Sequence, residues 1–189
     1  MNHPFLLSRF RLLTIIRHLR SGGLVAYPTE GVFGLGCDPF NQDAVQRLLS
    51  LKRRALNKGF ILIASEFSQV EHLLAVSDPE MRNRMLATWP GPVTWIAPVS
   101  AKTPAWLRGR RASLAVRVTA HPLAALLCQS FGGPLISTSA NLSMRPPANS
   151  SLKVRRIFRT SEVMLIPGRT SGLAGPTAIY RSDTGARLR

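Results

Sequence analysis

Short apolar runs alternate with amphipathic stretches along this chain, and that alternation narrows its fold more than any other feature. Runs at 24–27, 60–64, 93–97, 113–118 and 163–166 read as strands, the second being too short and too apolar for a surface helix. Residues 9–20 carry Phe10, Leu12, Leu13, Ile15, Ile16 and Leu19 on one side and Arg and His on the other, until Gly22-Gly23 stops the helix. Residues 42–52 repeat the pattern through Val45, Leu48 and Leu49, with Asn41 placed to cap them. Ser77-Asp78-Pro79-Glu80 has the form of a capping box ahead of Met81 and Met85. His121-Pro122 opens a further helix that Gly132-Gly133 closes, and a basic helix is expected near 151–159. Tyr27 to Gly36 reads as a Gly-rich bend, 168–175 as a Gly-rich loop, and Asp183-Thr184-Gly185 as the turn of a terminal hairpin. Strands and helices interleaved without a repeat or a long linker predict one α/β domain, and the hairpin predicts that its sheet is mixed.

The chemistry concentrates in one stretch. At 134–143 the apolar pair Leu135-Ile136 runs straight into Ser137, Thr138, Ser139 and Asn141. Hydroxyls and an amide at the carboxyl end of a strand suit oxygen-rich ligands, phosphates above all. An Asx/Ser turn after a strand is the plainer reading of the same residues. The charge balance favours the ligand: 25 Lys plus Arg stand against 9 Asp plus Glu, a formal +16, and 21 of the 25 are Arg. Guanidinium suits bidentate phosphate recognition, so RNA, nucleotide or both are the partners this excess points to. An Arg-biased but ordinary solvated surface is the alternative. No apolar run is long enough to span a membrane, and Arg9, Arg11, Arg17 and Arg20 break the amino-terminal apolar segment, which excludes a secretory signal. Cys37 and Cys128 lie far apart and fit reduced thiols of a cytoplasmic protein.

Familiar catalytic signatures are missing. The sequence has no GxxxxGK[ST], its GxG at 34–36 lacks the third glycine of a dinucleotide fingerprint, and His3, His18, His72 and His121 show no metal spacing. No GxSxG marks a nucleophile. Lys52-Arg53-Arg54 closes a helix, as a triphosphate clamp or as a solvated helix end. An enzyme built from Lys, Arg, Ser, Thr and Asn works by positioning and charge neutralisation, as nucleotidyl transfer does.

Five blocks in order, Tyr27-Pro28-Thr29-Glu30, Lys52-Arg53-Arg54, Pro90-Gly91-Pro92-Val93-Thr94, 115–118 with His121-Pro122, and 137–143, resemble the YrdC/Sua5 family, closest to its short bacterial form. The likeness runs from about residue 9 to residue 189. It implies a single YrdC-like α/β domain, with a twisted mixed sheet and helices around a basic concave cavity. It also implies an L-threonylcarbamoyladenylate synthase, a nucleotidyltransferase that joins L-threonine, bicarbonate and ATP and releases pyrophosphate. Its product serves the t6A modification at position 37 of tRNA. By the resemblance, Thr29, Arg117, Ser137 and Thr177 hold threonine, and Lys52, Arg54, Ser139, Asn141 and Arg189 hold ATP. Lys52 and Arg54 are the catalytic cations, and Mg2+ arrives with ATP. Glu30, the only acid near a motif, reads as structural or at most as a water or metal-shell contact, since one carboxylate makes no metal site. The resemblance further implies separate t6A transferase machinery as a partner, with tRNA or other RNA on the basic surface. Departures occur at Ala55, where a proline is common, at Gly31, where many members have Thr, and in strand 60–64, which lacks the histidine of longer forms. The alternative is a noncatalytic protein that binds double-stranded or ribosomal RNA.

Overall fold

The computed structural model describes residues 7–54, 59–158 and 162–189. Eight strands form one twisted mixed sheet: β1 Leu24–Pro28, β2 Phe33–Gly36, β3 Ile61–Ala64, β4 Val93–Pro98, β5 Ser113–Val118, β6 Leu135–Ser139, β7 Val163–Leu165 and β8 Ala178–Arg181. Their order across the sheet is β7-β1-β2-β6-β3-β5-β4-β8. Helices α1 Arg9–Arg20, α2 Gln42–Lys52, α3 Ser68–Glu71, α4 Pro79–Leu86, α5 Ala105–Arg108, α6 Pro122–Phe131 and α7 Ser151–Ile157 connect them.

The expected α1 matches the structure residue for residue. Asn41 caps α2 by accepting the Ala44 N–H at 3.0 Å. Three expectations are corrected. Asp78, not Ser77, caps α4, because its carboxylate accepts the Glu80 N–H at 2.9 Å. The expected bend before Gly36 is strand β2, paired antiparallel with both β1 and β6. The sheet is mixed for a different reason from the hairpin: antiparallel β1/β2, β2/β6, β3/β6 and β4/β5 join parallel β1/β7, β3/β5 and β4/β8. Ala55 and the last expected residue of the basic helix, Arg159, lie outside the described residues.

Side chains alternate across strands, and here the alternation decides where a ligand fits. On one face Leu24, Ala26, Phe33, Leu35, Leu62, Leu114, Val116 and Ile136 build the main core under α2, α5 and α7. On the other face Val25, Tyr27, Ile63 and Leu135 pack beneath α1 and α6. Those two helices cover only part of that face. Beyond them the same parity presents Gly34, Ile61, Ala115, Arg117, Ser137, Ser139 and Ile179 to an open cavity. The strand alternation that fills the core therefore also aims the polar end of β6 away from it. Cys37 and Cys128 are fully buried on the two faces, and burial pushes each thiol up to about 12, so both are inert. Among the described residues no helix is long and apolar enough to cross a membrane.

Candidate active site

The cavity holds about 340 Å3 and is lined at one end by Thr29, Arg117, Ser137 and Thr177. Arg117 is 5 % exposed, and a buried guanidinium needs compensation. Glu30, 4 % exposed, supplies it: its Oε2 lies 3.2 Å from Arg117 Nη2. The other carboxylate oxygen accepts Thr119 Oγ1–H at 2.7 Å and the Ala120 N–H at 3.2 Å. Arg117 Nη1 donates to Thr177 Oγ1 at 2.8 Å, and the Thr177 hydroxyl also meets Thr94 Oγ1 at 3.2 Å. Arg117 Nε has no partner among the described residues. The result is a braced cation with N–H donors left over, the arrangement a carboxylate ligand needs. The contacts of Glu30 make it the brace of Arg117.

Two glycines make room for this end. A Cβ on Gly34 would sit 3.0 Å from Ser137 Oγ and 3.2 Å from Thr29 Cγ2, in the cavity floor. A Cβ on Gly31 would meet the Gly175 carbonyl oxygen at 1.8 Å. Loop 168–177 lies across residues 29–31 here, held by Ser171 N–H to Thr29 O at 3.3 Å and Leu173 N–H to Glu30 O at 3.1 Å. That close approach delivers Thr177 to Arg117, and it explains why this chain carries glycine at 31. His121 secures the far end of the loop, with Nε2 3.0 Å from Arg169 O, while its Nδ1 accepts the Ala124 N–H at the start of α6.

Arg54, Arg108, Arg111 and Ser139 line the opposite end, with Arg189 at the wall between. Arg54 Nη2 donates to Gly59 O at 3.0 Å, and its Nε has no partner among the described residues. Burial, and after it the charge of Arg111, lowers the Arg54 pKa. Arg189 donates from Nε and Nη2 to Thr177 O at 3.1 and 2.8 Å, so the two ends share Thr177. Arg53, in the variable slot of the motif, is exposed and caps α2 in the left-handed region at φ 50°.

Lys52 is the residue whose place differs most from expectation. It is 2 % exposed and does not line the cavity. Its ammonium donates to Ser139 O, to Asn141 O at 2.8 Å and to Asn141 Oδ1 at 3.0 Å. Asn141 Oδ1 also accepts Ser139 Oγ–H at 2.7 Å. Ser143 closes the junction from the other side, its N–H and Oγ–H both reaching Lys52 O, at 3.1 and 2.8 Å. Lys52 thus sets the shape of 139–141 from beneath, while Arg54 faces the ligand space. Asn141 likewise belongs to this support rather than to the lining. Burial, then the Arg54 charge, pulls the Lys52 pKa down to about 7. The three oxygens around it favour the ammonium and oppose that pull.

Among the described residues no cluster of three His, Cys, Asp or Glu is placed to hold a metal ion. Glu30, the acid at this site, accepts two hydrogen bonds at Oε1 and faces Arg117 Nη2 with Oε2, which has no hydrogen-bond partner among the described residues, and one carboxylate makes no metal site. The donor set does not fit a Mg2+ ion held by the protein. Sequence reasoning missed Arg108 and Arg111, which sit in no recognisable motif.

A cavity on the uncovered face of a mixed α/β sheet, walled by arginines and hydroxyls, defines a domain that binds anionic ligands through charge and hydrogen bonding. The chain belongs to the Sua5/YciO/YrdC family, whose model, described as "Telomere recombination", matches residues 17–186. It is 53 % identical over 180 residues to the threonylcarbamoyl-AMP synthase of Nitrosococcus oceani, covering 95 % of this chain and 97 % of that one. It is 54 % identical over 180 residues to the protein of the same name from Halorhodospira halophila, covering 95 % and 94 %. Among solved structures, P. abyssi Sua5 complexed with L-threonine superposes with a TM-score of 0.86 at 28 % identity, over 93 % of this chain and 52 % of that one.

Proposed function

We propose that this chain is an L-threonylcarbamoyladenylate synthase, a nucleotidyltransferase using L-threonine, bicarbonate and ATP. The observation that carries the reading is the two-ended cavity. A buried Arg117, braced by Glu30, faces Thr29, Ser137 and Thr177 at one end, and Arg54 and Ser139 stand at the other. The first end suits an amino-acid carboxylate and hydroxyl. The second suits a nucleotide's phosphates.

The chemistry follows from that placement. The threonine amine and bicarbonate give a carbamate and water. A carbamate oxygen then attacks the α-phosphorus of ATP, the bond to the β-phosphate oxygen breaks, and pyrophosphate leaves with the electron pair. Neither step needs a protein nucleophile. The protein holds the two reactants in line and neutralises charge gathering on the leaving group, a role suited to Arg54 and to the hydroxyl-lined wall. Lys52 acts through Ser139 and Asn141, which it positions. Any Mg2+ travels with the ATP phosphates as part of the substrate.

The product serves t6A modification at position 37 of tRNA, in the cytoplasm, through separate transferase machinery. Exposed Arg9, Arg11, Arg17 and Arg20 on α1, with Arg155 and Arg156 on α7, offer RNA a surface apart from the cavity. A purely noncatalytic RNA-binding role is not favoured, because spread cations alone would not require a braced buried arginine among hydroxyls. Purified protein given ATP, threonine and labelled bicarbonate tests the reading. Label in an adenylate, with one pyrophosphate per adenylate, supports it. Absence of both with folded protein overturns it.

A further inference from the structure

Three guanidinium groups gather at the end of the cavity remote from Thr29, and only Arg54 belongs to a motif. Arg108 is the last residue of α5 and Arg111 begins the approach to β5, with Gly109 at φ 63° turning the chain between them. The turn is built firmly. Leu107 is fully buried in the main core, Trp106 Nε1 donates to Pro39 O at 3.0 Å, and Arg108 Nη1 donates to Arg111 O at 3.1 Å. Gly59, whose carbonyl oxygen accepts from Arg54, lies against this turn: its Cβ position would be 3.6 Å from Arg108 O. Arg54, Arg108 and Arg111 therefore converge on one wall, close enough that Arg111 depresses the Arg54 pKa.

None of the described residues lining the cavity is an acid. Arg54 and Arg108 are partly exposed and Arg111 is exposed, and like charges that share one wall without a counter-charge repel one another, a cost that a bound polyanion removes. An anion seated there is separated along the cavity from the Arg117 end, as a polyphosphate extending beyond its α-phosphate would be.

We propose that Arg108 and Arg111, with Arg54, form the seat for the β- and γ-phosphates of the nucleotide, and hence for the pyrophosphate that leaves. The proposal rests on the synthase reading for the identity of the nucleotide. The anion seat itself is testable without it. Arg108 and Arg111 discriminate triphosphate from monophosphate and hold the leaving group in line.

Calorimetric titration of the full chain with inorganic pyrophosphate, ATP and AMP separates the possibilities. Arg108→Gln and Arg111→Gln should each weaken pyrophosphate and ATP by about 10-fold or more, the scale of one charge-assisted hydrogen bond, while changing AMP less than about 2-fold. The charge-preserving Lys variants should lose less. Lys102→Gln, removing an exposed charge outside the cavity lining, should leave all three affinities unchanged. Melting curves confirm that the variants fold. Wild-type protein that fails to bind pyrophosphate overturns the proposal, as do Gln variants that keep pyrophosphate affinity or lose AMP as strongly as ATP. If pyrophosphate binds and the variants lose it while no adenylate forms in the wild type, the anion seat stands and the synthase reading falls. If the wild type forms adenylate and both variants bind pyrophosphate unaltered, the synthase reading stands and the anion seat falls.

Discussion

Replacing Lys52 by methionine separates a supporting cation from one that touches phosphate. Methionine fills a similar volume, so the perturbation is the loss of the ammonium. Of its three acceptors, Ser139 O keeps the Asn141 N–H at 2.9 Å and Asn141 Oδ1 keeps Ser139 Oγ–H at 2.7 Å. Asn141 O is left without that donor. One buried acceptor left unpaired costs about 1–3 kcal/mol. Relief of the buried charge offsets part of that. For a chain of this size such a loss lowers Tm by roughly 2–12 °C. Catalysis should suffer more than stability, because Ser139 loses its register, and misplacement by an ångström costs on the order of 100-fold. Lys52→Arg should fail too, since a longer, planar guanidinium does not reproduce three hydrogen bonds made from one buried nitrogen. The assays are thermal denaturation and steady-state pyrophosphate release. An unchanged Tm, with ATP affinity lost and then restored by arginine, would refute the supporting role and return Lys52 to the phosphates.

Arg117→Lys should weaken threonine by about 10-fold or more and ATP far less, because a point-charge ammonium does not replace a planar fork; separate calorimetric titrations decide it, and equal losses would remove Arg117 from the amino-acid end. The pH dependence follows from Lys52, whose folded pKa of about 7 lies below its ordinary value of 10.5. Between these values the unfolded chain binds more protons, so this group's contribution to stability rises with pH. Function goes the other way, since a neutral amine offers two donors to three oxygens. Nucleotide affinity should therefore fall as pH rises above 7, and a profile for Lys52→Met as steep as the wild type would sink the assignment. Rising salt should abolish RNA retention on filters well before it slows pyrophosphate release at saturating substrate, because exposed α1 arginines are screened more than cavity contacts; equal slopes would contradict that separation.

Much of this fold was legible where local pattern decides the outcome. Helix α1 follows from its apolar spacing, and the Gly132 stop of α6 from its left-handed backbone at φ 87°. Strand β2 was not legible, because Phe33-Gly34-Leu35-Gly36 has two glycines in four residues. Its strand form depends on pairing with β6, more than 100 residues later in the sequence. The terminal hairpin was visible, but the parallel pairing of β8 with β4 was not, for the same non-local reason. At the site, residue types named the chemistry and contacts assigned the parts. Nothing in Lys52-Arg53-Arg54 says that the first cation turns inward beneath Asn141 while the third faces the cavity. Glu30 and Arg117 lie 87 positions apart, one in the turn after β1 and the other on β5, strands that are not neighbours in the sheet, so nothing local announces the pair. Arg108 and Arg111 carry no sequence signal, because a turn with three arginines reads as surface until the cavity wall is seen.

Simultaneous occupancy of the two ends tests the central claim most directly. Threonine titrated into protein saturated with an α,β-methylene analogue of ATP, which cannot break at the α-phosphorus, should bind with 1:1 stoichiometry. The analogue titrated into threonine-saturated protein should do the same. Mutual exclusion of the two ligands would mean that Arg117 and Arg54 serve one site, and the two-ended cavity would be wrong.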